Sequence, residues 1–66
     1  MKILINGEQT EARDGITVAS LLESLCIGRD RVAVEVNLDI VPRTRHADHV
    51  INEGDRVEIV QFVGGG

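Results

Sequence analysis

The residues with the most evident chemical potential are the last three, Gly64-Gly65-Gly66. Glycine has no Cβ, so such a run can pass through a channel that a side chain would block and can adopt whatever φ the channel demands. Fully extended, three residues carry an α-carboxylate about 10 Å past the last element. That carboxylate has an ordinary pKa of roughly 3.5, so at neutral pH it is ionised and a poor electrophile. To accept a sulfur or nitrogen nucleophile it must first become a mixed anhydride, for instance with AMP. The competing reading is a frayed terminus or an expression scar. Gly64 follows the apolar Val63 directly, with no polar linker, which speaks against that alternative.

The remaining candidates carry weaker signals. Cys26 falls at the end of an expected helix, where a small buried hydrophobe is the expected role. A persulfide relay is the alternative, and no neighbour is evident that would lower its pKa. His46 and His49 stand three residues apart beside Asp48. A closed metal site needs a further well-placed ligand, and no cysteine lies nearby, so these are expected to be solvated loop residues with no metal. Arg43, Arg45 and His46 form a small basic cluster. It reads as a solvated face, with contact to an acidic partner or a phosphorylated substrate as the alternative and Arg43 as the better candidate.

The elements that position these groups follow from periodicity. Lys2-Ile3-Leu4-Ile5 is a strand that stops at Asn6-Gly7, a dipeptide suited to positive φ at both central turn positions. Glu8 to Ala12 is the polar return strand of a sheet edge, and Asp14-Gly15 turns the chain. Val18, Leu21, Leu22 and Leu25 then fall at i, i+3, i+4 and i+7, the apolar stripe of a helix. Thr17 is placed to cap it, and Gly28 is where a left-handed stop is expected. Arg31 to Asn37 returns to strand, with Val32, Val34 and Val36 on one face and Ala33 and Glu35 on the other. Asn37-Leu38-Asp39 turns, Ile40-Val41 is a short strand, and Pro42 closes it as an edge. The segment from Arg43 to Asn52 has no clean period, and Glu53-Gly54-Asp55 is a turn.

Arg56 to Val63 is the last strand, and its apolar residues occupy both parities. Such a strand is central in its sheet, and one helix is too little material to cover both faces. The first and last strands, richest in aliphatics, are expected side by side at the sheet centre and therefore parallel. The order β-β-α-β-β-β is then an α+β, ubiquitin-like β-grasp layout: a mixed sheet of about five strands with one main helix on one face. Residues 1–63 form a single domain and residues 64–66 a flexible glycine tail. Ile3, Ile5, Val57 and Ile59 are expected to meet the helix, while Leu4, Val60 and Phe62 look outward. Val60 and Phe62 would instead be core if the 43–52 segment folded back over them. Exposed, they would mark a partner site.

Composition narrows the classes of function. A chain of 66 residues hides only about 60% of the surface its unfolded form exposes, which leaves little for a deep active site. Its hydrophobic fraction is 42% and Phe62 is the single aromatic, so the core is aliphatic. Eleven acidic against seven basic residues give a net charge of -4, the wrong sign for gripping nucleic acid through phosphates. One cysteine excludes a disulfide framework, a four-cysteine cluster and an all-cysteine zinc site, and suits a reducing cytoplasm. The apolar run at the N-terminus is too short for a signal peptide or a membrane span.

Several of these segments together resemble a known family. The length, Gly15-Ile16-Thr17-Val18 leading into Leu21-Leu22, Val36-Asn37 followed by Ile40-Val41-Pro42-Arg43, and above all the stretch Gly54-Asp55-Arg56-Val57-Glu58-Ile59-Val60-Gln61-Phe62-Val63-Gly64-Gly65-Gly66 are similar to the sulfur carrier proteins of thiamine biosynthesis. The terminal Gly65-Gly66 is shared with the molybdopterin-synthase small subunit and ubiquitin-like modifiers, so the closing strand and the length are more telling. The resemblance implies a carrier rather than an enzyme, monomeric when free and holding no cofactor of its own. A ubiquitin-activating-like adenylyltransferase would use ATP to adenylate the Gly66 carboxylate. Sulfur from a persulfide-bearing donor would displace AMP, and the resulting thiocarboxylate would serve thiazole synthase. Gly64 and Gly65 would thread into the partner, with Leu4, Val60 and Phe62 as docking face and Arg43 as a possible polar contact. Sulfur delivery for molybdopterin or cysteine synthesis, covalent protein modification and a non-covalent interaction module are the alternatives. Lysine-linked chains would have only Lys2 as acceptor.

Overall fold

The computed structural model describes residues 1–28 and 30–62. Strand β1 (Lys2–Ile5) and strand β2 (Glu8–Glu11) form a hairpin, helix α1 (Val18–Ser24) follows, and β3 (Val32–Val36) and β4 (Asp39–Val41) form a second hairpin. A 3-10 turn at Arg43–Arg45 leads to the last strand, β5 (Arg56–Gln61). The sheet order is β2-β1-β5-β3-β4. β1 and β5 are parallel, with Leu4 beside Arg56 and Ile5 beside Val57, and every other strand pair is antiparallel. The two strands richest in aliphatics thus lie at the centre, as their residues require.

Asn6 (φ 49°) and Gly7 (φ 83°) make the first hairpin turn with both central residues left-handed, which matches the twist of the flanking strands. The second turn has the same geometry at Asn37 (φ 53°) and Leu38 (φ 74°), so a leucine occupies a position that asparagine and glycine favour. Thr17 caps the helix, its side chain accepting from the backbone N–H of Ser20 at 3.1 Å. Val18, Leu21 and Leu22 face the sheet and pack with Ile3, Val34, Val36, Val57 and Ile59.

Three expectations fail around the helix. Leu25 does not complete the apolar stripe; it is 39% exposed because the helix ends at Ser24 and Leu25 is already its C-cap. Gly28 is not the left-handed stop. Cys26 takes that conformation instead, at φ 59°, and this turns its side chain outward, so the expected buried cysteine is exposed. The 43–52 segment, which lacks a period, is nonetheless anchored. Val18 and Ala19 donate backbone hydrogen bonds to the carbonyls of His49 and His46 at 3.0 and 2.9 Å, and Ile51 donates to Ile16 at 2.8 Å. Ile51 is buried in the core. This segment lies against the start of the helix, on the core side of the sheet, and leaves the opposite face open. The last strand, expected through Val63, ends at Gln61; Phe62 lies one residue beyond it, and Val63 lies outside the described residues.

Candidate functional site

The site is built on β5 because its alternation is apolar on both faces. Val57 and Ile59 point into the core, while Val60 and Phe62 are 55% and 58% exposed on the opposite face. Leu4 of β1 shares that outer face through its pairing with Arg56 and is half-buried. The inward set behaves as its parity demands: Ile3 is buried and Ile5 packs against the core from its margin. Val60 and Phe62 are therefore a surface patch and not a second core.

The upper half of β5 is held asymmetrically. On the β3 side, Val60 pairs with Ala33, and the backbone N–H of Phe62 donates to Arg31 at 2.8 Å. On the other side β1 has already turned away at Asn6, and the Asn6 side chain takes over from its backbone. Its Nδ2 donates to the Ile59 carbonyl at 3.1 Å and its Oδ1 accepts from the Ile59 N–H at 2.7 Å. The amide reproduces a strand residue's two hydrogen bonds and extends the parallel ladder by one step. At the strand's opposite end, Asn37 Oδ1 accepts from Arg56 N–H at 3.0 Å, and Asn37 Nδ2 donates to Asp55 at 3.0 Å. Both turn asparagines thus fix β5 as well as their own hairpins. Sequence reasoning read them as turn residues only, because the hairpin signal at each position is local and the bond to β5 is not.

The other candidates separate. His46 is not a solvated loop residue: it is 1% exposed, with Nε2 3.1 Å from the Val41 carbonyl. The basic cluster is accordingly split, since Arg43 and Arg45 are exposed while the imidazole is inside. No periodicity marked the position, and the only available signal was that β4 and the helix need something to pack against between them. His49 is half-buried and does not join His46 at a common surface. Among the described residues, no group of three or more His, Cys, Asp or Glu side chains stands together as a metal site. Arg43 lies 3.8 Å from Asp30, both well exposed, a pair worth little in stability. Gly64, Gly65 and Gly66 lie outside the described residues. No helix among those described is long and apolar enough to cross a membrane.

A five-stranded mixed sheet with parallel central strands, one helix on one face and an open apolar patch on the other is the ubiquitin-like β-grasp architecture. The crystal structure of a thiamine biosynthesis protein (ThiS) from Geobacter metallireducens superimposes on the full length of both chains with a TM-score of 0.85 and 29% identity. The chain belongs to the ThiS family, whose model matches residues 3–66. The sulfur carrier protein ThiS of Escherichia coli is 36% identical over 66 residues, covering all of both chains. A thiazole synthase of Paramagnetospirillum magneticum is 47% identical over the same 66 residues, and one of Magnetococcus marinus is 42% identical. The chain spans about a fifth (20%) of the length of each of these two synthases.

Proposed function

We propose that this protein carries sulfur as a thiocarboxylate on Gly66 and delivers it for the thiazole moiety of thiamine. The observation that carries the reading is the face of β5: Val60 on the strand and Phe62 one residue past its end stand exposed just before the glycine run in the sequence, within a fold of the ThiS family. A partner seated on Leu4, Val60 and Phe62 would have the tail already aimed at its own nucleotide site, which raises the effective concentration of carboxylate there. An adenylyltransferase supplies ATP chemistry: the carboxylate oxygen attacks the α-phosphate, pyrophosphate leaves, and an acyl-adenylate forms. A persulfide-bearing donor then attacks the acyl carbon and releases AMP. Reductive cleavage of the resulting acyl disulfide by a thiol leaves the thiocarboxylate.

The protein's part is recognition and presentation, with Gly64 and Gly65 as the thread and Arg43 as a polar contact to the partner. The relatives that join such a domain to thiazole synthase support delivery to that enzyme over molybdopterin or cysteine synthesis and over protein modification. The test is incubation with adenylyltransferase, ATP and a persulfide donor, followed by intact-protein mass spectrometry. One oxygen-to-sulfur exchange at Gly66 is expected. Deletion of Gly66 should abolish the exchange while the thermal midpoint stays where it was.

A further inference from the structure

The outer face of the sheet holds a feature that neither its apolar residues nor the tail explains. Glu35 of β3 and Glu58 of β5 stand directly opposite each other in the antiparallel ladder. They form one of the hydrogen-bonded pairs of that ladder, since Phe62 bonds to Arg31 and Asn37 bonds to Arg56 in the same parity. Both side chains therefore rise from the same face with Cα atoms about 5.5 Å apart. Like charges in this relation destabilise a sheet. Neither carboxylate makes an ion pair among the described residues. Ile40 lies across from Glu35 on β4 and Val60 follows Glu58 two residues along β5, both exposed, while Arg56 precedes Glu58 by two residues on the same face and makes no ion pair to either carboxylate.

We infer that this carboxylate pair receives a basic side chain of the adenylyltransferase, a guanidinium or an ammonium inserted between Glu35 and Glu58 as the apolar patch is covered. The inference rests on the function proposed above and names the chemistry of its partner's surface. A patch of Val60, Phe62 and Ile40 gives area without register. Two carboxylates at one fixed spacing give register, and a planar guanidinium can donate to both at once. Desolvation on docking would make an unpaired like-charge pair costly, so a neutral or acidic partner surface is rejected. Adenylation is the step in which carrier must be captured from solution, and attraction between opposite charges speeds that encounter.

The test compares wild-type protein with Glu35→Gln/Glu58→Gln in steady-state adenylation. The double variant should show a KM for carrier raised by about tenfold or more, an unchanged kcat at saturation and a weaker dependence of KM on ionic strength. Its thermal midpoint should equal or exceed that of the wild type, because the repulsion is gone. Glu8→Gln/Glu23→Gln, which removes the same charge from β2 and the helix, should leave KM unchanged. An unchanged KM for Glu35→Gln/Glu58→Gln, or an equal rise in the control, overturns the inference and leaves the proposed function standing. A defect confined to sulfur transfer to thiazole synthase overturns the assignment to the adenylyltransferase. Failure of the wild type to be adenylated overturns the proposed function and this inference together.

Discussion

Leu38 is both left-handed and 80% exposed, two costs at one residue with no packing to offset them. The left-handed conformation alone costs a residue with a Cβ about 1–2 kcal/mol, and glycine escapes that penalty while losing some unfolded-state entropy. Leu38→Gly should therefore stabilise the protein by about 1 kcal/mol, and in a domain of this size that raises the thermal midpoint by about 4–8 °C. A calorimetric scan checks it; an unchanged or lower midpoint contradicts the strain argument. His46 is the opposite case, a polar residue inside. Truncation to alanine removes a buried ring together with its hydrogen bond to the Val41 carbonyl, so His46→Ala should destabilise by about 2–4 kcal/mol in a denaturant titration. Neither feature was fully legible in the sequence. Asn37-Leu38-Asp39 read as a turn, but nothing there marked the leucine as one of its left-handed residues, and a histidine in a segment without periodicity looks like any solvated one. Cys26 misled for a related reason. Its burial was inferred from residue type, and the backbone conformation that ends the helix decided otherwise.

At the scale of elements, what the sequence showed best was alternation. The β3 pattern of three valines on one face is observed as written, and the two-sided apolar β5 is central and parallel to β1. These follow from strand period alone and need no knowledge of partners. Boundaries that depend on hydrogen bonds across the fold were harder. The helix stops four residues before Gly28, at Ser24, and the N–H groups of Leu25, Cys26 and Ile27 find the carbonyls of Leu21, Glu23 and Leu22 as it closes. The Asn6 side chain is the element-level device with the largest expected effect, because it is what β5 has in place of a longer β1. Asn6→Gly keeps the positive φ of the turn and removes both bonds to Ile59. It should cost about 1–3 kcal/mol and speed amide exchange at Ile59 relative to Val34, which faces β4 and not β1. Equal acceleration at both sites would mean that Asn6 supports the whole domain and not the strand that leads to the tail.

For the molecule as a whole, the sheet divides two tasks between its faces. One face, with the helix and Ile51, buries an all-aliphatic core that holds the fold; the other exposes the single aromatic residue and its neighbours on the strand that precedes the glycines. Small domains have little apolar material to spare, so side chains of this size left in water point to a covering surface elsewhere. The division makes stability and recognition separable by mutation. Val60→Ser/Phe62→Ser alters residues that are more than half exposed and contribute nothing to the inner core, so the thermal midpoint should move by no more than a few degrees. Adenylation should nevertheless require far higher carrier concentrations, about a hundredfold in KM if the pair supplies some 3 kcal/mol at the centre of the contact. Isothermal titration against the adenylyltransferase measures that loss directly. A large fall in midpoint would return Val60 and Phe62 to the core, and unaltered affinity at unaltered stability would mean that the partner grips the glycine run alone.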